Sequence, residues 1–190
     1  MKVIKYKVLL DEENKNILVK ESAQLYASEK GEMNTPAQIV HLCNDVLQAN
    51  RLAEEHLWLL AFNTKNKLLG LFEVSHGTVN GSLITPREIF VRLFLCGAVR
   101  FVLVHNHPSG DTTPSAEDIH VTQRIHMAGE MMGIQFLDHN IRYSPGFPLP
   151  GTHKAAPANR LWHLQRIPFY IRSLSHYHTR FPHPAYFLIS

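Results

Sequence analysis

Short apolar runs alternate with stretches of helical periodicity along the first 139 residues. Compact apolar runs bounded by polar or turn residues are typical of strands, and apolar residues spaced three and four apart are typical of helices. The predicted strands are residues 3–10, 16–20, 57–62, 67–74, 99–104 and 134–137. The predicted helices start at Thr35, Glu88 and Ser115, and Gly133 closes the last of them. This alternation predicts an α/β domain with a mixed sheet.

Two of the predicted helix starts carry capping residues. Thr35 is followed by Pro36 and Gln38, which predicts a capping box with proline in the first helical position. Thr85 and Glu88 have the same spacing, so Glu88 is explained as a capping residue. We therefore expect Thr35 and Thr85 to be N-cap residues, each followed by a proline in the first helical position.

The residues richest in chemistry lie where the strand at 99–104 continues into His105-Asn106-His107. Side chains two apart on a strand point to one face, so these imidazoles should lie about 7 Å apart along the strand, close enough to share one ion. A Pro-Ser-Gly turn follows, and Asp118 then falls in the first turn of a helix, where it can face back toward the histidines. Three protein ligands with a fourth position left for water are typical of catalytic zinc sites.

Ser115 and Asp118 also have a purely structural interpretation. Serine at the N-cap with an acid three residues later is a helix-capping pattern. A His-x-His pair is also common on strands that bind no metal. The two signals together, separated by one Pro/Gly turn, favour a metal site, and capping by Ser115 does not exclude a ligand role for Asp118.

The whole pattern, His-x-His followed by seven residues and then Ser-x-x-Asp, resembles the JAMM motif of the JAB/MPN metalloenzymes, in particular their bacterial RadC-like branch. Blocks that match that branch in order lie at residues 63–67, 77–78, 86–88, 105–111, 114–115 and 137–139. The resemblance covers roughly residues 35 to 139. It implies a mixed β-sheet flanked by helices, related to the cytidine deaminase architecture, and a zinc ion held by His105, His107 and Asp118.

The resemblance also implies an upstream glutamate that deprotonates the attacking water. Between residues 64 and 110 the acids are Glu73 and Glu88, and capping explains Glu88. Glu73, at the end of the strand at 67–74, is therefore assigned as the general base, the alternative being a strand-end acid that faces water. Ser115 is assigned as a donor to the developing oxyanion if capping leaves its hydroxyl free, and losing such a donor typically costs about 3 kcal/mol.

His139 closes the last block that resembles the branch. It either approaches the metal or the substrate, or it is a hydrogen-bonded structural histidine. The remaining histidines near the motif are expected at the surface: His76, His120 and His126.

The resemblance implies zinc-dependent hydrolysis of an amide or isopeptide bond in a peptide or protein, and the branch is linked by name to DNA repair. A non-catalytic JAB/MPN-fold module that binds DNA or protein is the alternative. Such relatives usually lose a metal ligand, whereas this chain has the full set. A zinc deaminase is excluded because neither His-x-Glu nor Pro-Cys-x-x-Cys occurs.

Composition favours a cytoplasmic protein. The chain has no apolar run long enough to span a membrane, and its first residues lack the apolar segment of a secretory signal. Cys43 and Cys96 have no paired spacing and fall in apolar helical stretches, so both are expected to be buried thiols. Nothing in the sequence indicates the oligomeric state.

The net charge of +3 hides an uneven distribution. Residues 140–190 hold six basic residues and no acid, so the first 139 residues hold 13 basic against 16 acidic residues. Tight nonspecific binding to DNA depends on basic contacts with phosphates, and this mildly acidic core gives it no support.

Residues 140–190 depart from the RadC-like pattern, which continues with a strand, a glycine turn and another strand. They hold seven of the 11 prolines and five of the 13 histidines. We interpret them as out-of-frame sequence after a frameshift near residue 140. The alternative is a basic appendage whose aromatic residues stack on bases, namely Trp162, Phe169, Tyr170, Tyr177 and Phe181.

The chain thus divides into an N-terminal extension at 1–34, the RadC-like domain at 35–139 and an atypical tail at 140–190. Without the terminal strands of the branch, one edge of the sheet would lose its cover, and exposed edges promote aggregation.

Overall fold

A computed structural model describes residues 1–28, 32–77, 84–109 and 113–143, together with the backbone of a short strand at 165–166. The elements in chain order are β1 (Lys2–Leu10), β2 (Asn16–Leu25), α1 (Pro36–Leu47), β3 (His56–Phe62), β4 (Leu68–His76), α2 (Pro86–Leu95), β5 (Arg100–His107), α3 (Ala116–Met132), β6 (Gln135–Tyr143) and β7 (Gln165–Arg166). The predicted α/β fold with a mixed sheet flanked by helices is confirmed, and every predicted helix and strand is present.

The strands form one sheet in the order β2-β1-β4-β3-β5-β6-β7. β1 pairs with β4 and β5 pairs with β6 in parallel, whereas the other neighbours are antiparallel. β3 and β5 lie at the centre, where Leu59 stands opposite Leu103 and both are fully buried. Because β3 and β5 are antiparallel, the residues that precede β3 lie beside the histidines that end β5.

Helices cover both faces of the sheet. α1 packs on one face, where Ile39 shares an apolar cluster with Trp58. α2 and α3 pack on the opposite face, where Ile125 shares a second cluster with Leu103. Truncating a buried leucine such as Leu103 to alanine typically costs about 2–5 kcal/mol, so the face under α2 and α3 contributes substantially to stability.

The predicted capping is confirmed for α1 and α3 and corrected for α2. The Thr35 hydroxyl accepts from the backbone N–H of Gln38, whose side chain accepts from the Thr35 backbone. Ser115 forms the same arrangement at the start of α3. Thr85 is the N-cap of α2, but its hydroxyl donates to the Glu88 carboxylate and makes no bond to the helix backbone. The two side chains bind each other, so this is not a capping box.

Several strands are longer than predicted. β5 continues through His107, and β2 and β6 extend to Leu25 and Tyr143. β6 keeps its parallel pairing with β5 along this extension, and β7 pairs with it at Asn140 and Ile141, so its outer edge is covered there. Apart from β7, residues 144–190 lie outside the described residues, and the frameshift stays a prediction.

The minor predictions have mixed outcomes. Cys43 is buried as predicted, whereas Cys96 is only half-buried at the end of α2. His76 and His120 are exposed as predicted, but His126 is half-buried. Within the described residues, no helix is both long enough and apolar enough to cross a membrane.

Candidate metal centre

His105 and His107 lie on the face of β5 that α3 covers. Their ring centroids are 4.7 Å apart, and the ring planes are nearly perpendicular at 88°. Each residue is only 9% exposed. Strand alternation holds both side chains on one face, so the two imidazoles meet at the buried end of a central strand.

Asp118 reaches the same place from the first turn of α3. Its Oδ1 lies 3.1 Å from Nδ1 of His105, and its Oδ2 lies 3.6 Å from Nε2 of His107. Oδ2 also accepts from the Ser115 backbone N–H at 2.8 Å, which completes the helix cap. Asp118 therefore caps the helix and also faces both histidines, so its capping role leaves it in reach of the predicted ligands.

The hydroxyl of Ser115 is committed to this cap. It donates to Oδ2 of Asp118 at 2.7 Å and accepts from the Asp118 backbone N–H at 3.0 Å. A serine hydroxyl has one proton. In this arrangement Ser115 holds Asp118 in position, and its hydroxyl could bind a developing oxyanion only after leaving Asp118.

A second carboxylate at the histidines comes from Glu55, which the sequence did not single out. Its Oε1 lies 2.8 Å from Nε2 of His105 and 3.7 Å from Nε2 of His107. Glu55 directly precedes β3, outside the interval of residues 64 to 110 in which an acid was sought. The available signal was an acid at the start of a strand that could pair antiparallel with the His-x-His strand.

Glu73, predicted from the sequence as the general base, is not part of this cluster. Glu73 stands opposite Trp58 in the β3–β4 pair, and residues directly opposite each other share a face. Trp58 belongs to the core under α1, whereas the histidines lie on the other face. The Glu73 carboxylate instead lies 3.6 Å from Nζ of Lys5 and 3.8 Å from Nδ1 of His56.

Asn106, between the two histidines, fixes the segment that carries Glu55. Its side chain points to the face opposite the histidines and is fully buried. Oδ1 accepts from the His56 backbone N–H at 2.7 Å, and Nδ2 donates to the Glu54 backbone carbonyl at 2.9 Å. The strand that supplies the imidazoles thus also positions the nearby carboxylate.

The charges of the cluster depend on one another. Burial by itself would lower the pKa of His105, but the Asp118 and Glu55 carboxylates outweigh it and raise that pKa to about 9. Burial opposes ionisation of Asp118, yet contacts with both histidines and Ser115 hold its pKa well below the ordinary value. The hydrogen bond with His105 lowers the pKa of Glu55. Two ionised carboxylates therefore face a positively charged imidazole.

His139 lies behind His105, with ring centroids 6.1 Å apart. Its Nδ1 is 2.7 Å from the Thr122 hydroxyl, which donates its own proton to the Asp118 carbonyl at 2.6 Å. Nδ1 must therefore carry the proton, which leaves Nε2 as an acceptor. Nε2 is buried and has no hydrogen-bond partner among the described residues, and complete burial lowers the pKa of His139 to about 3. His139 is thus a neutral histidine of fixed tautomer.

The cluster opens into a cleft of about 380 Å³. Its walls combine polar groups of the cluster with apolar side chains from β3, α3 and the segment before α2. The apolar residues that line it include Leu57, Ile84 and Val121. A buried polar cluster with one open side is a typical small-molecule or peptide site.

The donor set fits zinc, whose usual ligands are imidazole nitrogens and carboxylate oxygens. Ligand atoms of Glu55, His105 and His107 lie within 4.8 Å of one another, and Asp118 contacts both histidines. In this arrangement the positive charge of protonated His105 offsets the negative charge of the two carboxylates. A bound cation offsets that negative charge in the same way.

The mixed sheet with helices on both faces, and the cluster at the end of its central strand, define a JAB/MPN-type domain. A family model described as RadC-like JAB domain matches residues 33–146, which include the whole cluster. The chain belongs to this RadC-like JAB family.

Curated relatives agree with this assignment. A UPF0758 protein of Desulforudis audaxviator is 52% identical over 87 residues, which are 46% of this chain and 38% of that protein. A UPF0758 protein of Desulfitobacterium hafniense is 42% identical over 109 residues, 57% of this chain and 47% of that protein. One from Caldanaerobacter subterraneus is 39% identical over 121 residues, 62% and 51% of the two chains. The chain spans about half or less of each relative, and their names state no activity.

Proposed function

We propose that the chain is a RadC-like zinc-dependent hydrolase that cleaves an amide or isopeptide bond in a peptide or protein. The observation that carries this proposal is the convergence of two imidazoles and two carboxylates in one buried cluster beside an open cleft. His105, His107 and Asp118 hold the zinc, and Glu55 takes the role of general base that the sequence had assigned to Glu73.

Zinc bound there supplies Lewis-acid chemistry, since it lowers the pKa of a coordinated water from about 15.7 to about 7 and polarises a carbonyl. The side chain of Glu55 is 41% exposed and lines the cleft, so water and a leaving amine can both reach its carboxylate. Its lowered pKa keeps it ionised near neutral pH. Glu55 accepts a proton from the attacking water and delivers it to the leaving nitrogen.

The other residues act by position. Ser115 fixes Asp118 through two hydrogen bonds at the start of α3. Thr122 joins the Asp118 carbonyl to His139, which lies behind the plane of His105. Groups that fix the orientation of metal ligands in this way typically change metal affinity about 10–100-fold when they are removed.

A peptide or protein is the proposed substrate because the cleft is open on one side and lined by both apolar and polar groups. The family name is linked to DNA repair, and we include that link only as the pathway in which the protein acts, not as direct binding of DNA. The acidic balance of residues 1–139 supports no direct contact with DNA.

The test is hydrolysis by the zinc-loaded 190-residue chain of casein and of a ubiquitin isopeptide conjugate in water enriched in ¹⁸O. New carboxyl termini that carry the label, detected by mass spectrometry, are the expected result. Glu55→Gln should retain zinc and lower turnover about 10²–10⁴-fold, the usual contribution of a general base. Glu130→Gln, an exposed change on α3, is the matched control.

The variants also separate the alternatives. Loss of turnover in Glu73→Gln, with turnover retained in Glu55→Gln, would overturn the assignment of the base. A wild-type chain that binds zinc at His105 and His107 but labels no carboxyl terminus would support a non-catalytic binding module instead.

A further inference from the structure

A second group of potential metal ligands lies where β3 begins and β4 ends. Glu54, His56 and His76, here called the rim cluster, each offer a ligand atom within 4.8 Å of the others. Oε2 of Glu54 lies 2.9 Å from Nε2 of His76, and the two imidazole rings stack with centroids 4.8 Å apart. The buried cluster uses none of these three side chains.

The backbone holds the rim cluster in place. His56 and His76 stand opposite each other at the ends of β3 and β4, and opposite residues of an antiparallel pair have Cβ atoms about 5 Å apart. The Glu54 carbonyl is bound by Asn106, and the Gly77 N–H donates to the Glu55 carbonyl at 2.8 Å. Sheet pairing therefore brings His56 and His76 together, and the hydrogen bond from Asn106 holds the backbone of Glu54 beside them.

The surroundings of His56 suit a ligand. Its side chain is 12% exposed, and its Nδ1 is buried with no hydrogen-bond partner among the described residues. The Glu73 carboxylate lies 3.8 Å from that Nδ1, just beyond hydrogen-bond distance. Metal-binding histidines usually donate one ring N–H to a carboxylate and bind the metal with the other nitrogen. Glu73 is placed to take the first role, which leaves Nε2 of His56 for an ion.

Stacking accounts for only part of this arrangement. The His56 ring lies parallel to Trp58, with centroids 5.2 Å apart and a 2° angle between planes, which explains its burial. Stacking does not require a carboxylate and a second imidazole to lie next to it. Ligands around a tetrahedral zinc ion are roughly 3.3 Å apart, given metal–ligand distances of about 2.0–2.1 Å. Glu54 and His76 are exposed and can close the remaining distance by rotation.

We propose that the rim cluster binds a second divalent transition-metal ion, with zinc as the probe. Two imidazoles and one carboxylate favour zinc, cobalt or nickel over magnesium or calcium, which prefer all-oxygen sites. The site does not depend on hydrolase activity at the buried cluster. The His56 side chain shares the face of Asn106 and Trp58, opposite the face of His105, so an ion bound there is separate from the buried cluster.

Zinc stoichiometry of the metal-free 190-residue chain at buffered free zinc tests the proposal. Each variant is compared with wild type, because five further histidines occur in residues 140–190. His76→Phe keeps a ring for stacking and should bind one equivalent less. His107→Ala should also lose one, and the double variant should lose two. His120→Ala, an exposed histidine outside both clusters, is the control and should lose none.

An unchanged stoichiometry in His76→Phe would overturn the rim site. Circular dichroism checks that His76→Phe folds. If His76→Phe does not fold, Glu54→Gln, a change to an exposed side chain, replaces it and should lose the same one equivalent of zinc. If His107→Ala keeps all its zinc while His76→Phe loses one equivalent, the rim site stands and the buried site fails. Glu73→Gln should weaken zinc at the rim about tenfold and leave the buried cluster unchanged.

Discussion

The buried cluster and the rim cluster are made of the same residue types but are held very differently. In the buried cluster, Asp118 is bound by Ser115 at a helix start, and both histidines are 9% exposed. In the rim cluster, the side chains of Glu54 and His76 are 63% and 54% exposed and contact mainly each other. Side chains held by packing and hydrogen bonds lose less entropy when they bind an ion. The buried cluster should therefore bind zinc more tightly.

The comparison also separates roles. The proposed general base must lie next to the metal ligands and be open to solvent on one side, and Glu55 lies 2.8 Å from His105 and lines the cleft. Glu73 fails the first condition, because it lies on the other face, against Lys5 and His56. Its side chain is 35% exposed, so solvent access does not separate the two glutamates. The same residue type at the end of a neighbouring strand therefore has a different use, which depends only on the face to which its side chain points.

The largest effect is expected at Asn106, whose side chain binds the backbone segment that carries residues of both clusters. Asn106→Ala removes both bonds to the segment between Glu54 and His56, so the free energy of unfolding should fall by about 2–4 kcal/mol. Zinc should weaken at both clusters. Asn140→Ala is the matched control: this asparagine is equally buried on the same face, but its amide has no hydrogen-bond partner among the described residues. Urea unfolding of the metal-free chains measures the difference, and equal losses in both variants would contradict the assigned support role.

Asp118→Asn should separate the clusters. The amide can still accept a backbone hydrogen bond at the helix start, but it lacks the charge that faces His105 and His107. Zinc affinity at the buried cluster should fall by about 100-fold or more, equivalent to about 2.7 kcal/mol, and the rim cluster should be unaffected. Chelator competition measures both. Ser115→Ala, which removes the cap but not the ligand, should lower affinity about tenfold, and a larger loss there than in Asp118→Asn would argue against Asp118 as a ligand.

Thr122→Val should affect only the buried cluster. The change keeps the shape of the side chain but breaks the bonds to the Asp118 carbonyl and to His139. Leaving these buried groups without partners should lower the free energy of unfolding by about 1–3 kcal/mol. Thr122→Ser retains the hydroxyl and should restore most of that loss. Thermal or urea unfolding checks it, and equal stability of the valine and serine variants would contradict the proposed hydrogen-bond chain.

The smallest expected difference between the two clusters is in the number of protons released when zinc binds. The pKa of His105 is raised to about 9, so its ring is protonated near neutral pH and must lose that proton to bind zinc. Zinc affinity should therefore rise up to about tenfold per pH unit until the pH reaches that pKa, and fall as the pH drops. Burial lowers the pKa of His56, which has no such proton to release. Calorimetry of His76→Phe in buffers of different ionisation enthalpy counts the protons, and a count near zero would contradict the ion pair between His105 and its carboxylates.

Local patterns in the sequence predicted much of the fold. Compact apolar runs located β3, β4 and β5, and the Thr35 and Ser115 caps marked the starts of α1 and α3, because these signals act between residues close in sequence. The boundaries were less certain where pairing with a neighbour extends a strand, as in β6. The pattern at Thr85 failed because its hydroxyl bonds the Glu88 side chain and not the helix backbone.

By itself, the sequence determined that two histidines share one face of a strand and that an acid begins the following helix, since strand alternation and helix capping are local properties. Which glutamate meets those histidines was decided only by the tertiary structure. The antiparallel register of β3 and β5 brings Glu55 to His105 and turns Glu73 to the opposite face. A one-residue change in position reverses the face of a strand side chain, and only the paired sheet fixes that choice.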